Sequence, residues 1–249
     1  MARHSDGSSL LFLHPVGLDR WCVEWLDLPP VRAVTMPGHG ERERARPGLT
    51  LADMADEIVG HSTGPLDVVG ASLGGMVAMH LALGHPDRVR SLVLACTTPR
   101  GDAAVMNSRA DATEDRGSAG MLEDTLTRWF TPAALEADRD TPYMAYARER
   151  LLAMDPGALA DTWRAIGTHD VLERLGEIRV PTTCIAGTRD LSTPMGVMRD
   201  LAARLPDARL VEMDAPHMAF LERPREFSVA VLEHLAWAGA QARTEGALE

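Results

Sequence analysis

Residues 66–83, "LDVVGASLGGMVAMHLAL", place a single serine among three glycines, directly after a short apolar run. Glycine weakens both strands and helices, so three of them around one serine require a local reason. The run "LDVVG" predicts a buried strand, and residues 74–86 carry a helical pattern that Gly84 and Pro86 bring to an end. The serine therefore stands at a sharp turn from a strand into a helix.

The G-x-S-x-G pattern formed by Gly70, Ser72 and Gly74 is typical of a nucleophile elbow. In such a turn the serine adopts a strained backbone and projects over the sheet, where bulky neighbours would clash. The alternative is a glycine-rich turn with an incidental serine, because the bare pattern is common. The strand before the motif and the helix after it favour Ser72 as a catalytic nucleophile.

Composition limits the class of protein. The chain has 249 residues, of which 45% are hydrophobic, which suits one α/β domain with or without an insertion. A net charge of −11 argues against nucleic acid as a partner and gives an anionic substrate no long-range attraction. Recognition of a carboxylate would therefore need a local arginine.

The cysteines and the apolar runs predict a cytoplasmic location. Cys22, Cys96 and Cys184 are odd in number and far apart, so neither a disulfide framework nor a zinc site is expected. The apolar run "LLFL" near the start is too short for a signal peptide, and no segment is long enough to span a membrane. We expect no membrane partner, and a homodimer is left open.

Strand and helix patterns alternate along the chain. Apolar runs typical of buried strands occupy residues 9–14, 31–36, 66–70, 89–97, 180–188 and 208–214. Helical patterns occupy residues 50–61, 74–86, 194–205 and 224–238, the first with Thr50 as its N-cap. This alternation predicts an α/β fold with a mostly parallel sheet covered by helices on both faces.

One interval, residues 100–176, interrupts this alternation. It holds several short helical patterns and no good strand signal, and it falls between two strands of one sheet. Such an insertion predicts a helical cap over the carboxyl ends of the strands, where sheets of this kind bind ligands. The predicted division is therefore a core domain of residues 1–99 and 177–249, with a cap of residues 100–176.

A serine nucleophile needs a base, and the chain has nine histidines. We expect the base on the loop after the last strand, and His217 in "MDAPHMAFLERP" is the only histidine in that window. Asp190 in "AGTRDLSTP" directly follows the fifth strand and is the candidate acid that orients the base. Two other aspartates are weaker candidates for this acid. Asp102 lies well beyond the end of the fourth strand, and Asp214 lies at the end of the sixth.

Asp190 has a second interpretation as a turn cap, since aspartate suits turns. Two backbone N–H groups are expected to form an oxyanion hole, one from Leu73 after the nucleophile and one from Val16 in "HPVG". Pro15 cannot serve because it has no N–H. The alternative is that "HPVG" is merely a turn. No metal ion and no organic cofactor are implied.

Several motifs occur in the order typical of one superfamily. They are "FLHPVG", "MPGHGERE", "VVGASLGGMVA", "HPDRVRSLVLACT", "VPTTCIAGTRDLSTP" and "DAPHMAFLERPREF". The chain resembles the α/β-hydrolase superfamily in its branch with a helical cap. Within it, "TRWFTP" and "IAGTRD" are most similar to 3-oxoadipate enol-lactonases. This resemblance implies hydrolysis of a small, carboxylate-bearing lactone.

Two departures from those lactonases bear on the expectation. Family members usually begin with a β-hairpin before the "FLH" strand, so the hairpin is expected to be missing or short here. The link between the helix of residues 50–61 and the following strand is very short, as in pimeloyl-carrier-protein methyl esterases. The resemblance therefore supports the catalytic residues more strongly than it supports a lactone as the substrate.

Candidate substrate contacts lie mainly in the predicted cap. Arg128 could hold a carboxylate through two parallel hydrogen bonds, and Trp129 beside it could exclude water. The alternative is a solvated arginine beside a core tryptophan. Met76, Met144 and Trp163 are candidates for either the pocket or the core.

These residues predict a serine hydrolase that cleaves a small carboxylic ester or lactone through an acyl-enzyme. A carboxyl- or thioesterase acting on a carrier-linked or natural-product ester is one alternative. Another is different chemistry on the same residues, such as C–C bond hydrolysis or cofactor-free peroxidation. A ligand receptor that retains the three residues is a third, because a fold does not fix a function.

Overall fold

The centre of the molecule is a six-stranded, all-parallel sheet in the order β2-β1-β3-β4-β5-β6. It is seen in a computed structural model that describes residues 9–46, 48–137 and 141–245. The strands are β1 (Leu10–Leu13), β2 (Val31–Val34), β3 (Leu66–Ala71), β4 (Val89–Ala95), β5 (Thr182–Gly187) and β6 (Ala208–Met213). The mostly parallel sheet expected from the alternation of patterns is confirmed.

Helices cover this sheet because its strands are apolar on both sides. Every residue of β3 and of β5 is buried, as expected for central strands of a parallel sheet. The covering helices are α1 (Leu51–Gly60), α2 (Leu73–Gly84), α7 (Met195–Arg204), α8 (Ala219–Glu222) and α9 (Pro224–Glu245). Helix α2 packs against β1, β3 and β4, and α9 packs against β4 and β5.

The start of α1 follows directly from its sequence. The Thr50 hydroxyl accepts the Asp53 N–H at 3.1 Å, and the Asp53 carboxylate accepts the Thr50 N–H at 2.8 Å. This reciprocal pair satisfies two N–H groups that an open helix end would leave without partners. Thr50 is therefore the N-cap that the pattern predicts.

Among the described residues, four α-helices lie between β4 and β5. They are α3 (Ala103–Trp129), α4 (Pro132–Glu136), α5 (Pro142–Ala153) and α6 (Pro156–Gly167). Helix α3 bends at Gly117, whose φ of +68° is left-handed, and it packs along α5 and α6. We call these four helices the insert. Its helical character matches the pattern of residues 100–176, and its standing as a separate cap domain stays a prediction.

The two chain segments that connect the insert to the sheet lie side by side. The Gly101 N–H donates to the His169 carbonyl at 2.7 Å, and the Val171 N–H donates to the Pro99 carbonyl at 2.9 Å. The side chains of Arg100 and Asp170 add an ion pair at 2.8 Å. The insert thus leaves and re-enters the sheet at one place.

Some boundaries differ from the patterns. Strand β2 ends at Val34 rather than near residue 36, and α9 continues to Glu245 rather than ending near residue 238. The helix continues because its last turns contain no proline and are rich in alanine. The expected loss of an N-terminal hairpin concerns the chain before β1, where residues 1–8 lie outside the described residues. Within the described ranges, no helix combines the length and apolarity that a membrane span requires.

Candidate active site

Ser72 occupies the turn between β3 and α2. Its backbone has φ of +52° and ψ of −115°, which is a strained conformation for a residue with a side chain. The Ser72 N–H donates to the Ala95 carbonyl of β4 at 2.9 Å, and its own carbonyl accepts the Thr97 hydroxyl at 2.7 Å. Hydrogen bonds to the end of β4 and to the segment after it therefore hold both backbone polar groups of Ser72 in place.

The glycines of the motif are explained by backbone contacts. A Cβ atom on Gly70 would lie 2.4 Å from the Gly74 carbonyl oxygen, and one on Gly74 would lie 2.0 Å from the Leu13 carbonyl oxygen. Real Cβ atoms do not approach other atoms so closely. The turn packs against β1 so tightly that neither position has room for a side chain.

His217 and Asp190 reach Ser72 from two separate loops. The Nε2 atom of His217 lies 3.0 Å from Ser72 Oγ, and its Nδ1 atom lies 2.8 Å from Asp190 Oδ2. A carboxylate can only accept, so Nδ1 carries the proton and Nε2 is free to accept the serine proton. All three side chains are buried. The structure thus brings the three predicted residues into one hydrogen-bonded chain.

The carboxylate of Asp190 is held in place by its own loop. Its Oδ1 atom accepts the backbone N–H groups of Ser192 at 2.7 Å and of Thr193 at 2.8 Å. These contacts are those of a turn-capping aspartate. The turn-cap interpretation and the acid interpretation therefore both apply, since one oxygen caps the turn while the other faces His217.

Cys96 also lies beside Asp190. It directly follows β4 and has a left-handed φ of +47°. Burial, and next the nearby Asp190 carboxylate, raise the pKa of the Cys96 thiol well above its ordinary value. Side-chain atoms of Cys96, Asp190 and His217 lie within 4.8 Å of one another. Because the thiol stays protonated and the other two groups bind each other, the arrangement favours a hydrogen-bonded cluster over a cation site.

The loop after β1, residues 14–19, brings Val16 to the same place, and we call it the β1 loop. Val16 lines the cleft that contains Ser72. Leu73 is the first residue of α2, and N–H groups in the first turn of a helix have no acceptor within the helix. Both predicted oxyanion-hole residues are therefore placed beside Ser72. Their role in stabilising an oxyanion stays a prediction.

His14, which sequence reasoning missed, orients the peptide that carries the Val16 N–H. The Met36 N–H donates to His14 Nε2 at 2.9 Å, so the proton lies on Nδ1, which donates to the Pro15 carbonyl at 2.7 Å. Burial lowers the pKa of His14 well below its ordinary value and keeps the ring neutral. Since C=O and N–H of a trans peptide point in opposite directions, fixing the Pro15 carbonyl fixes the Val16 N–H.

The cleft over Ser72 is partly open to solvent, and its empty space, including solvent at the opening, is about 820 Å³. It lies between the carboxyl ends of the strands and the insert, where ligands bind in sheets of this kind. Among the predicted substrate contacts, Met76, Trp129 and Trp163 line it. Its other apolar lining residues are Val105, Met106, Ile166, Pro194 and Val197.

Met144 and Arg128, also predicted as substrate contacts, are not among the residues that line this cleft. Met144 has zero exposure and belongs to the core of the insert. Arg128 reaches back along α3, with its Nη2 atom 3.4 Å from the Thr125 hydroxyl. Consecutive helical residues point about 100° apart, so Trp129 faces the cleft while Arg128 beside it does not.

A different arginine, Arg109 of α3, lines the cleft instead. Its guanidinium carbon lies 5.3 Å from the centre of the Trp163 ring. Burial, and next the repulsion from Arg128, lower the pKa of Arg109 to about 10. Within the part of the chain that the structure describes, no carboxylate pairs with it, and the buried Nε1 atom of Trp163 has no hydrogen-bond partner. The wall of the cleft thus offers a cation to a ligand, while the Trp163 Nε1 donor is enclosed.

Comparison with known proteins agrees with this geometry. The family model described as alpha/beta hydrolase fold matches residues 33–224, so the chain belongs to the α/β-hydrolase family. The pimeloyl-[acyl-carrier protein] methyl ester esterase of Chromobacterium violaceum is 34% identical over 226 residues, which cover 87% of this chain and 84% of that protein. The family and its esterase relatives identify the chain as an ester hydrolase.

Two enol-lactonases are also similar to this chain. The 3-oxoadipate enol-lactonase 2 of Acinetobacter baylyi is 29% identical over 164 residues, covering 65% of this chain and 60% of that protein. The crystal structure of the enol-lactonase from Burkholderia xenovorans superposes with a TM-score of 0.88 at 26% identity, covering 94% of each chain. The resemblance predicted from sequence, to α/β-hydrolases related to enol-lactonases, is confirmed.

Proposed function

We propose that Ser72, His217 and Asp190 carry out ester hydrolysis as nucleophile, base and orienting acid. The observation that supports this most directly is the hydrogen-bonded chain from Ser72 Oγ through both ring nitrogens of His217 to Asp190 Oδ2. A serine hydroxyl is a weak nucleophile until an adjacent base removes its proton. The chain of contacts supplies that base in the required tautomer.

The steps follow from these positions. Ser72 attacks the ester carbonyl while His217 takes its proton, and the N–H groups of Val16 and Leu73 donate to the oxygen that becomes negative. His217 then protonates the departing alcohol, which leaves the acyl group on Ser72. A water molecule that gives a proton to His217 attacks the acyl-enzyme, and His217 then returns that proton to Ser72 Oγ as the Ser72–acyl bond breaks and the acid is released. Asp190 stabilises the imidazolium in both halves of the reaction.

We infer that the substrate is the ester of a short alcohol at the end of an acyl chain delivered on a carrier protein. The support is the similarity to the methyl ester esterase of Chromobacterium violaceum over 87% of this chain. The apolar side chains along the cleft suit an acyl chain. This carrier-linked ester was an alternative at the level of sequence, and the relatives support it better than they support a lactone.

A carboxylate-bearing lactone is the second candidate. It is favoured by Arg109, a cleft arginine without a carboxylate partner among the described residues. A free carboxylate would pair with this guanidinium, whereas the alkyl chain of a carrier-linked ester would not. The similarity in fold to the enol-lactonase of Burkholderia xenovorans agrees with this candidate.

A paired assay separates the two. Purified wild type and Ser72→Ala are compared on the methyl ester of pimeloyl-acyl-carrier protein and on 3-oxoadipate enol-lactone. Faster Ser72-dependent release of methanol from the first substrate supports the carrier-linked ester, and faster opening of the second supports the lactone. Turnover that survives in Ser72→Ala contradicts the proposed mechanism for either substrate.

A further inference from the structure

Asp19, at the end of the β1 loop, is a fully buried carboxylate. Its Oδ1 atom accepts the Trp21 N–H at 3.0 Å and the Tyr146 hydroxyl at 2.7 Å, and its Oδ2 atom lies 3.4 Å from Arg150 Nη1. Burying a carboxylate is costly unless partners compensate the charge and the lost water. Asp19 finds its side-chain partners on a different part of the molecule.

Two of the partners come from the insert. Tyr146 and Arg150 are four residues apart on α5, so they lie on the same face of that helix. The Tyr146 hydroxyl also accepts the Asp19 N–H at 3.2 Å, and its ring packs against Trp25 at 5.2 Å. The insert therefore contacts both the backbone and the side chain of Asp19.

The insert also packs closely against the β1 loop at Gly17. Gly17 has a φ of +76°, and a Cβ atom there would lie 2.6 Å from Leu151 of α5 and 3.3 Å from Trp129 of α3. Val16 precedes Gly17 and lines the cleft. The insert thus holds the β1 loop on the carboxyl-terminal side of Val16, while His14 holds it on the amino-terminal side.

We propose that Asp19, Tyr146 and Arg150 form a clamp through which the insert sets the position of the Val16 N–H. The proposal rests on the proposed function, in which that N–H donates to the oxyanion. Tyr146 and Arg150 are positioning residues that act through the β1 loop and touch no reacting atom. The oxyanion hole is then complete only while α5 lies against the loop, so the insert contributes to catalysis through the position of this N–H.

The test replaces the Tyr146 hydroxyl alone. Wild type, Tyr146→Phe and Tyr143→Phe are compared on a short p-nitrophenyl ester, with Ser72→Ala as a fourth sample. Tyr143 is the matched control because it lies one turn earlier on α5 and packs on Phe130 at 6.0 Å rather than on the β1 loop. Misplacement of a catalytic group by about 1 Å can cost roughly 100-fold, so kcat of Tyr146→Phe is expected to fall about 10- to 100-fold.

A readout specific to the oxyanion separates positioning from general damage. An alkyl boronic acid, which forms a tetrahedral adduct with the serine, should bind Tyr146→Phe more weakly by the same factor as kcat falls, while KM changes less than about twofold. Tyr143→Phe should match wild type in all three quantities. Arg150→Gln, which leaves the Tyr146 hydroxyl in place, should shift kcat and boronate affinity in the same direction by a smaller factor.

Each remaining result decides against a specific claim. Wild-type kcat and boronate affinity in Tyr146→Phe would overturn the clamp, and so would a change confined to KM, which would place Tyr146 in substrate entry. If Tyr146→Phe does not fold, Arg150→Gln decides by the same two quantities. Turnover that survives in Ser72→Ala would overturn the proposed function, and the clamp with it, whereas loss of turnover there with a normal Tyr146→Phe rejects the clamp alone.

Discussion

The Nε2 atom of His217 lies 3.0 Å from Ser72 Oγ, although the two residues are 145 positions apart in the chain. The sheet brings them together, because parallel strands end at the same edge. Ser72 follows β3, and His217 follows β6 three strands away in the sheet order. Between them, Asp190 follows β5 and completes the chain of hydrogen bonds.

Replacement of Asp190 by asparagine should lower kcat strongly and change the thermal stability little. The asparagine can still accept the Ser192 and Thr193 N–H groups, but it cannot stabilise the imidazolium of His217. We expect a fall in kcat of about 10³- to 10⁴-fold with little change in KM. Steady-state kinetics on a short p-nitrophenyl ester measure both.

The control for that experiment is Asp214→Asn. Asp214 is close to His217 in sequence, but its carboxylate pairs with Arg189 at 2.7 Å and its side chain is 76% exposed. Its replacement should leave kcat within about twofold. If the two variants lose activity equally, Asp190 is not the acid.

The packing of the turn at Ser72 predicts that Gly74→Ala is strongly destabilising. The new methyl group would meet the Leu13 carbonyl at 2.0 Å, and the backbone of β1 cannot move aside without disturbing the sheet. Overpacking of this kind costs about 1–3 kcal/mol and sometimes more. Thermal unfolding followed by circular dichroism should show a lower midpoint.

Gly84→Ala provides the matched comparison on the same helix. Apart from its chain neighbours and the backbone of its own helix, no heavy atom of the described residues lies within 4 Å of a Cβ atom at Gly84, and alanine favours helix over glycine. Its midpoint should equal or slightly exceed that of wild type. Equal midpoints for the two variants would show that the close approach at Gly74 has no energetic consequence.

Stability should decrease on acidification because of a histidine pair where the insert joins the sheet, formed by the buried His169 and the partly buried His80. His169 Nε2 donates to the Thr98 carbonyl at 3.0 Å, so its Nδ1 atom accepts from His80 Nε2 at 3.0 Å. Burial, and next His80, lower the pKa of His169 from 6.5 to about 4. Burial, and next Arg174, lower the pKa of His80, while Asp170 opposes the lowering at His169.

The sign of the effect follows from proton uptake. Between pH 6.5 and 4 the unfolded chain protonates His169 while the folded protein does not, so the free energy of unfolding falls as the pH falls through this window. Each unit of pKa shift corresponds to about 1.4 kcal/mol. The variant His169→Gln should have a flatter dependence of melting temperature on pH than wild type or His61→Gln, which alters an exposed histidine. A slope that is unchanged in His169→Gln would rule out this origin.

Arg109→Met should discriminate between substrates according to their charge. If the guanidinium binds a substrate carboxylate, its loss should raise KM for a carboxylate-bearing lactone about 10- to 100-fold, since a charged hydrogen bond contributes about 1.5–3 kcal/mol. KM for a neutral p-nitrophenyl ester should change little. Michaelis–Menten kinetics on both substrates give the comparison.

Arg116→Met is the control for that prediction. Arg116 lies on the same helix, but it is half-exposed and pairs with Asp124 at 3.0 Å. The Arg116→Met variant should have the KM values of wild type for both the lactone and the p-nitrophenyl ester. An equal rise in KM for the charged and the neutral substrate in Arg109→Met would mean that Arg109 shapes the cleft without binding a carboxylate.

Much of the fold could be predicted because its signals are local. The glycines at positions 70 and 74, the Thr50 cap and the apolar runs each act within a few residues, and each has the expected role in the structure. Ser72 and His217 could be named because turn chemistry and chain order restrict where such side chains occur. His14 was missed although it directly follows β1, since nothing local shows which ring nitrogen meets Met36.

The sequence by itself therefore determined the order of strands and helices, the strained serine and the residues expected to meet it, because hydrophobic periodicity and turn chemistry depend on near neighbours. Only the tertiary structure decided that Arg109 rather than Arg128 lines the cleft. It also decided that Asp19 accepts a hydrogen bond from the hydroxyl of Tyr146, which is 127 positions away in the chain. Those contacts depend on how the insert packs against the sheet. A helical position rotates by about 100° per residue, so which side chain faces the cleft is fixed only when the helix has docked.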